Sequence, residues 1–181
     1  MARMLVTYGS RRGSTAEIAE WIAGTMRDRG LAVDLIPASQ VVDVRGYDAV
    51  VIGGAIYNNR WHRDARRFAR RHAATLRARS VWLFSSGPLD GSAAERDIPP
   101  VPGARRWLDR LEAEEHVTFG GRLARDARGF AAALLARSMS GDHRDRERIT
   151  GWAGRICDQL AGPAGGSRPS PPGDRRWTAG R

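Results

Sequence analysis

The chain contains no lysine: all 30 of its basic residues are arginine. That absence removes the Walker A phosphate loop, whose lysine reaches the β- and γ-phosphates. It also removes Schiff-base and pyridoxal-phosphate chemistry, which need an amine to condense with a carbonyl. Cysteine occurs once, so neither an internal disulfide nor a cysteine-rich metal site can be assembled. Long apolar runs are missing too. None approaches the ~20 residues that span a bilayer, and Met1-Ala2-Arg3-Met4-Leu5-Val6 lacks the apolar stretch of a signal peptide. A cytoplasmic protein is expected, with a membrane-peripheral position as the alternative.

What is present is one domain's worth of chain: 181 residues, 41% of them hydrophobic, enough to bury a proper core. The formal charge of +10 admits nucleic acid, an anionic membrane or an acidic partner. A binding footprint usually mixes lysine with arginine and clusters on one element. Arginine here accompanies abundant alanine and glycine, the signature of GC-rich coding, and no loop or repeat adds a nucleic-acid motif. No nucleic-acid partner is expected.

Along the chain, strands alternate with helices. Met4-Leu5-Val6-Thr7-Tyr8 is a β-favouring run ended by Gly9. From Thr15, apolar residues Ile18, Ala19, Trp21, Ile22 and Met26 fall at helical spacing, with glutamates early, arginines late and Gly30 as the stop. Leu31–Ile36, Tyr47–Ile52, Val81–Phe84 and Val117–Phe119 read as further strands, with Gly53-Gly54 ending the third. Helices are predicted over 62–77 (inner face Ala65, Phe68, Ala69, His72, Leu76), 104–113, 127–139 and 145–160. From Gly162 the composition turns to Gly, Pro, Ser and Arg, which offers little to bury. The division is therefore a domain over 1–161 and a disordered tail over 162–181. The alternation implies an α/β sandwich on a five-stranded parallel sheet, whose ligands sit beyond the carboxyl ends of the strands.

Three loops lie at that edge. Gly9-Ser10-Arg11-Arg12-Gly13-Ser14-Thr15 opens directly into a helix, so free backbone N–H groups, hydroxyl donors and the helix dipole favour a phosphate there. It lacks the G-x-G-x-x-G spacing, which argues against NAD. The plain alternative is an ordinary turn with Ser14 or Thr15 as the N-cap. In Gly53-Gly54-Ala55-Ile56-Tyr57-Asn58-Asn59-Arg60-Trp61, the glycines allow close backbone approach to a flat ligand and Tyr57 and Trp61 offer stacking faces. Ser85-Ser86-Gly87-Pro88 is again small and polar. Jointly they suit a mononucleotide flavin.

The segments Tyr8–Thr15, Val50–Tyr57 and Leu83–Ser86, with Ser138-Met139-Ser140-Gly141 and Trp152-Ala153, resemble the flavodoxin-like superfamily. They are most similar to its branch of menaquinone-dependent protoporphyrinogen IX dehydrogenases. The resemblance implies strand order 2-1-3-4-5 and FMN as cofactor. By position it assigns Ser10, Arg11, Arg12, Gly13, Ser14 and Thr15 to the phosphate. Ala55, Ile56, Tyr57 and Asn58, with Ser85, Ser86, Gly87 and Pro88, are assigned to the isoalloxazine. Family members commonly carry a Gly and a His soon after the ring-loop aromatic, where this chain reads Asn58-Asn59-Arg60-Trp61-His62.

The flavin would carry the redox chemistry, so no side chain is named as catalytic acid, base or nucleophile. Arg11 and Arg12 beside the phosphate favour the reduced, anionic ring and predict a less reducing flavin than an ordinary flavodoxin's. The function implied is an FMN-dependent oxidoreductase of the protoporphyrinogen dehydrogenase kind, passing electrons to a quinone. The alternatives are an electron carrier between a reductase and an acceptor protein, and a flavin-free interaction protein. The four histidines have no metal-site spacing, and Asp142, Asp145 and Glu147 lie among arginines as an ion-pair cluster. Cys157 reads as a buried thiol. The arginine-rich helix 62–77 reads as a solvated face, with docking to an anionic membrane surface as its alternative.

Overall fold

A computed structural model describes residues 2–11, 13–87, 97–123 and 141–162. Its strands are β1 (Arg3–Gly9), β2 (Ala32–Pro37), β3 (Ala49–Tyr57), β4 (Arg60–Trp61), β5 (Ser80–Ser86), β6 (Glu115–Phe119), β7 (Arg122–Leu123) and β8 (Gly141–Asp142). The helices are α1 (Ser14–Asp28), α2 (Arg63–Arg71), α3 (Ala73–Leu76), α4 (Pro102–Leu111) and α5 (Arg146–Ala161). The principal sheet runs β2-β1-β3-β5-β6, all parallel, with β4 folded back antiparallel on β3. Without the two-residue β4, this is the expected order 2-1-3-4-5. Arg12, Pro88, the helix expected over 127–139 and tail residues 163–181 lie outside the described residues.

Period-two alternation divides each strand between two cores. Met4 and Val6 of β1, Ala49 and Val51 of β3, and Trp82 and Phe84 of β5 face one layer. There they meet Ile18, Ile22 and Met26 of α1 and Ile149, Trp152 and Ile156 of α5. Leu5, Val50, Ile52, Val81 and Leu83 face the other, against Ala65, Phe68 and Ala69 of α2, Leu76 of α3, and Ala104, Trp107 and Leu111 of α4. The central strands are apolar on both faces because both faces are covered. A parallel sheet with helices on each side is the outcome the periodicity predicts.

The ends of the elements differ from expectation in ways that matter for the site. Gly53-Gly54 does not end the third strand, which continues to Tyr57 and turns through Asn58-Asn59 into β4. Both asparagines have positive φ, 48° and 58°. They form the two-residue primed turn that matches the twist of a hairpin, a conformation asparagine tolerates better than most residues. The predicted helix 62–77 is broken at His72 into α2 and α3. Its inner face is as expected apart from His72, which is half-buried with its ring 5.0 Å from Phe68.

Asp145 caps α5 by accepting from the Arg148 N–H at 3.0 Å. The start of α5 is tied to α1 by Arg144, whose side chain is almost wholly buried. Its guanidinium reaches Glu17 at 2.7 Å and lies 4.7 Å from the Trp21 ring. Cys157 is buried, and desolvation pushes its thiol up. Among the described residues no helix is long and apolar enough to cross a membrane.

Candidate functional site

The carboxyl ends of β1, β3 and β5 are adjacent in the sheet: Gly9 pairs with Gly54, and Gly54 with Ser85. The three loops selected from the sequence are therefore neighbours. A direct bond links the first two, since the Arg11 N–H donates to the Tyr57 hydroxyl at 3.4 Å. The second and third also meet. A Cβ on Gly87 would stand 3.0 Å from Ile56 Cδ1, so the hairpin leans on the end of β5.

The first loop ends in a glycine turn that opens into α1. Gly13, at φ 80°, occupies the cap position of α1, and no side chain caps that end. The alternative with Ser14 or Thr15 as cap is thus corrected: both are the first helical residues, and glycine takes the left-handed position before them. The cap residue, a glycine, supplies no side-chain acceptor to the first-turn N–H groups, which carry the positive end of the helix dipole. Thr15 is 1% exposed and its hydroxyl has no hydrogen-bond partner. Thr7 and Thr118 hydroxyls are in the same state, but only Thr15 sits on the first turn of a helix. A buried hydroxyl without a partner costs stability in the ligand-free protein, and an oxyanion at this helix end would satisfy it. The residues present fit a phosphate.

The second loop corrects two readings. Gly53 and Gly54 make room for aromatic rings from the protein itself: a Cβ on Gly53 would lie 2.1 Å from Phe84, and one on Gly54 2.7 Å from Trp61. Trp61 offers no stacking face, being 1% exposed beneath the hairpin. Its indole N–H donates to Ser85 Oγ at 2.7 Å, and Ser85 Oγ stands 2.8 Å from His116 Nε2. The Ser85 hydroxyl thus bridges the Trp61 indole and the His116 imidazole, which is neutral. Burial enforces that state, pushing His116 down to about 4 from an ordinary 6.5. Ser85 is fully buried and spends its hydroxyl on this chain, so it braces the site from behind.

Tyr57 and Asn58 remain at the accessible edge, half-buried and exposed, while Ala55 and Ser86 are buried and Ile56 and Gly87 half-buried. Ser10 is half-buried and Arg11 exposed. His62 caps α2, its Nδ1 accepting from the Asp64 N–H at 3.3 Å, and its ring lies 6.0 Å from Tyr57. Desolvation lowers its pKa, so it too favours the neutral form. No local sequence signal marks the Trp61–Ser85–His116 chain, whose successive members are 24 and 31 residues apart. Among the described residues no three His, Cys, Asp or Glu side chains group as a metal site.

Comparison with known proteins agrees with this geometry. The chain is 28% identical over 108 residues to protoporphyrinogen IX dehydrogenase [quinone] of Escherichia coli K12. That match covers 59% of this chain and 60% of the relative, so the chain spans less than two thirds of that protein's length. Among solved structures, a flavodoxin from Streptococcus pneumoniae TIGR4 superposes with a TM-score of 0.59 at 18% identity, over 87% of this chain and 99% of that one. Oxidised flavodoxin 1 of Bacillus cereus gives 0.58, at 15% identity over 88% and 99%. Residues 5–146 match the profile described as "Flavodoxin domain". On that match, which spans most of the chain, and on the strand order it accompanies, the chain belongs to the flavodoxin domain family.

Proposed function

We propose that residues 1–161 form an FMN-binding oxidoreductase domain that takes electrons from protoporphyrinogen IX or a similar reduced substrate and passes them to a quinone. The observation that carries the cofactor is the unpartnered Thr15 hydroxyl at an uncapped helix end, beside two strand ends closed by a hairpin. Ser10, Arg11, Arg12, Gly13, Ser14 and Thr15 would hold the phosphate. Tyr57 and Asn58 on the hairpin, Ser86 at the end of β5, and Gly87 and Pro88 following it would flank the ring, with Ala55, Ile56 and Ser85 supporting them. Bound FMN would supply a ring able to accept an electron pair from the substrate and release it to an acceptor.

The protein's own contribution is placement and charge. The Trp61–Ser85–His116 chain fixes the hairpin relative to β5 and β6, and the Arg11–Tyr57 bond fixes it relative to the first loop. Arg11 and the helix dipole favour negative charge at the phosphate end. The choice of substrate and acceptor rests on the E. coli relative, whose name includes both.

Purified protein loaded with FMN tests the reading. Quinone-dependent oxidation of protoporphyrinogen IX is the expected result. FMN binding with no such oxidation, but rapid reduction by a flavodoxin reductase, would replace the enzyme with an electron carrier. Failure to retain FMN after reconstitution would overturn both.

A further inference from the structure

A second concavity begins where the hairpin ends and runs between α2 and α4. Its volume is about 820 Å³, within the range of ~300–1,000 Å³ typical of small-molecule sites. Six arginines line it from three directions: Arg60 from the hairpin, Arg63, Arg66, Arg67 and Arg70 from α2, and Arg106 from α4. All six are exposed, and among the described residues no Asp or Glu lines the cavity. Arg63 reaches Asp64 at 3.3 Å. Among the described residues, no carboxylate pairs with the other five. Trp107, 7% exposed, adds an apolar wall. The parts are in fixed contact, since a Cβ on Gly103 of α4 would stand 3.1 Å from the Asn59 carbonyl of the hairpin.

Arg63, Arg66, Arg67 and Arg70 share one face of α2 at helical spacing, and like charges three and four residues apart destabilise a helix. An anion in the groove relieves that repulsion. The shape selects among anions. A nucleic acid or a membrane would meet a stripe or a flat surface, whereas these guanidinium groups surround a concavity of limited volume. Planar guanidinium forks suit carboxylates and phosphates. Seven residues of helix separate Arg63 from Arg70, about 10 Å. An occupant reaching both must carry at least two anionic groups spaced apart on a body that can lie against Trp107.

We propose that this groove binds the carboxylate arms of an organic oligocarboxylate, holding the substrate beside the hairpin that flanks the flavin. The identification of that occupant as the oxidoreductase's substrate rests on the function proposed above, whereas the carboxylate preference stands on the groove alone.

Protoporphyrin IX, which carries two carboxylates, and its dimethyl ester serve as probes, followed by porphyrin fluorescence on the full chain. The free acid is expected to bind at least 10-fold more tightly than the ester, with an affinity that falls as salt is raised. The Arg63→Ser/Arg67→Ser/Arg106→Ser variant should lose at least 10-fold for the acid and little for the ester. Arg71→Ser/Arg105→Ser, which removes exposed arginines outside the groove, should stay within twofold. Equal binding of acid and ester, or equal losses in the two variants, would overturn the assignment. So would groove-dependent binding of phosphatidylglycerol vesicles without acid-over-ester selectivity. FMN retention, measured on the same preparations, separates the two readings. Retained FMN without carboxylate selectivity removes the groove alone, and selectivity without FMN removes the flavin alone.

Discussion

At the scale of single residues, the site depends on buried polar atoms whose partners decide their worth. His116 is the clearest case. The unfolded chain takes up a proton on this residue near pH 6.5, whereas the folded protein resists until about pH 4. Its contribution to stability is therefore complete above pH 6.5, falls through that window as acid is added, and is gone below 4. The shift corresponds to about 3 kcal/mol as an order of magnitude. Lowered pKa values at His62 and His72 slope in the same direction. Denaturant unfolding between pH 7 and pH 4 should show stability falling with acid, and Ser85→Ala should lower it at pH 7 by ~1–3 kcal/mol by orphaning the buried Trp61 N–H. An unchanged midpoint for Ser85→Ala would mean that the chain of bonds does not brace the hairpin.

At the scale of elements, the hairpin after β3 is where sequence and structure part most instructively. The principal strands were legible, because apolar runs are local signals, and their order followed from the family resemblance. The extension of β3 to Tyr57 was not, because two consecutive glycines resemble a strand stop. Their purpose is set across space: Phe84 from β5 and Trp61 from β4 fill the volume a Cβ would need. Trp61 misled for the same reason, as an aromatic in a ligand loop looks available until its burial is known. Conversely, the first loop's glycine turn and helix start were legible, since Gly13, Ser14 and Thr15 lie within one short stretch. Gly53→Ala should cost ~1–3 kcal/mol by overpacking against Phe84. Asn59→Gly, at φ 58°, should be neutral or stabilising and Asn59→Ala should cost about 1 kcal/mol. Chemical denaturation of the three variants checks this, and a harmless Gly53→Ala would contradict the packing account.

At the scale of the whole molecule, the absence of lysine and the +10 charge acquire two local meanings. Arg11 lies in the loop proposed for the phosphate, and six arginines surround the groove that begins at the hairpin and runs between α2 and α4. Among the described residues, others form ion pairs, such as Arg3–Asp34 and Arg29–Asp158, or bond backbone carbonyls, as Arg79 does with Tyr47. That organisation was only partly legible. The arginines of α2 are visible in sequence as an outer face, but Arg60 and Arg106 join them only through the hairpin and α4. The carboxyl edge of this sheet is the proposed receptor for a flavin phosphate, with Thr15 as one of its donors. Titration of the flavin-free protein with FMN and with riboflavin, which lacks the phosphate, tests it directly. The account predicts that FMN binds at least 100-fold more tightly than riboflavin and that Thr15→Val weakens FMN at least 10-fold without destabilising the flavin-free protein. Equal affinity for the two flavins, or no binding of either, would contradict it.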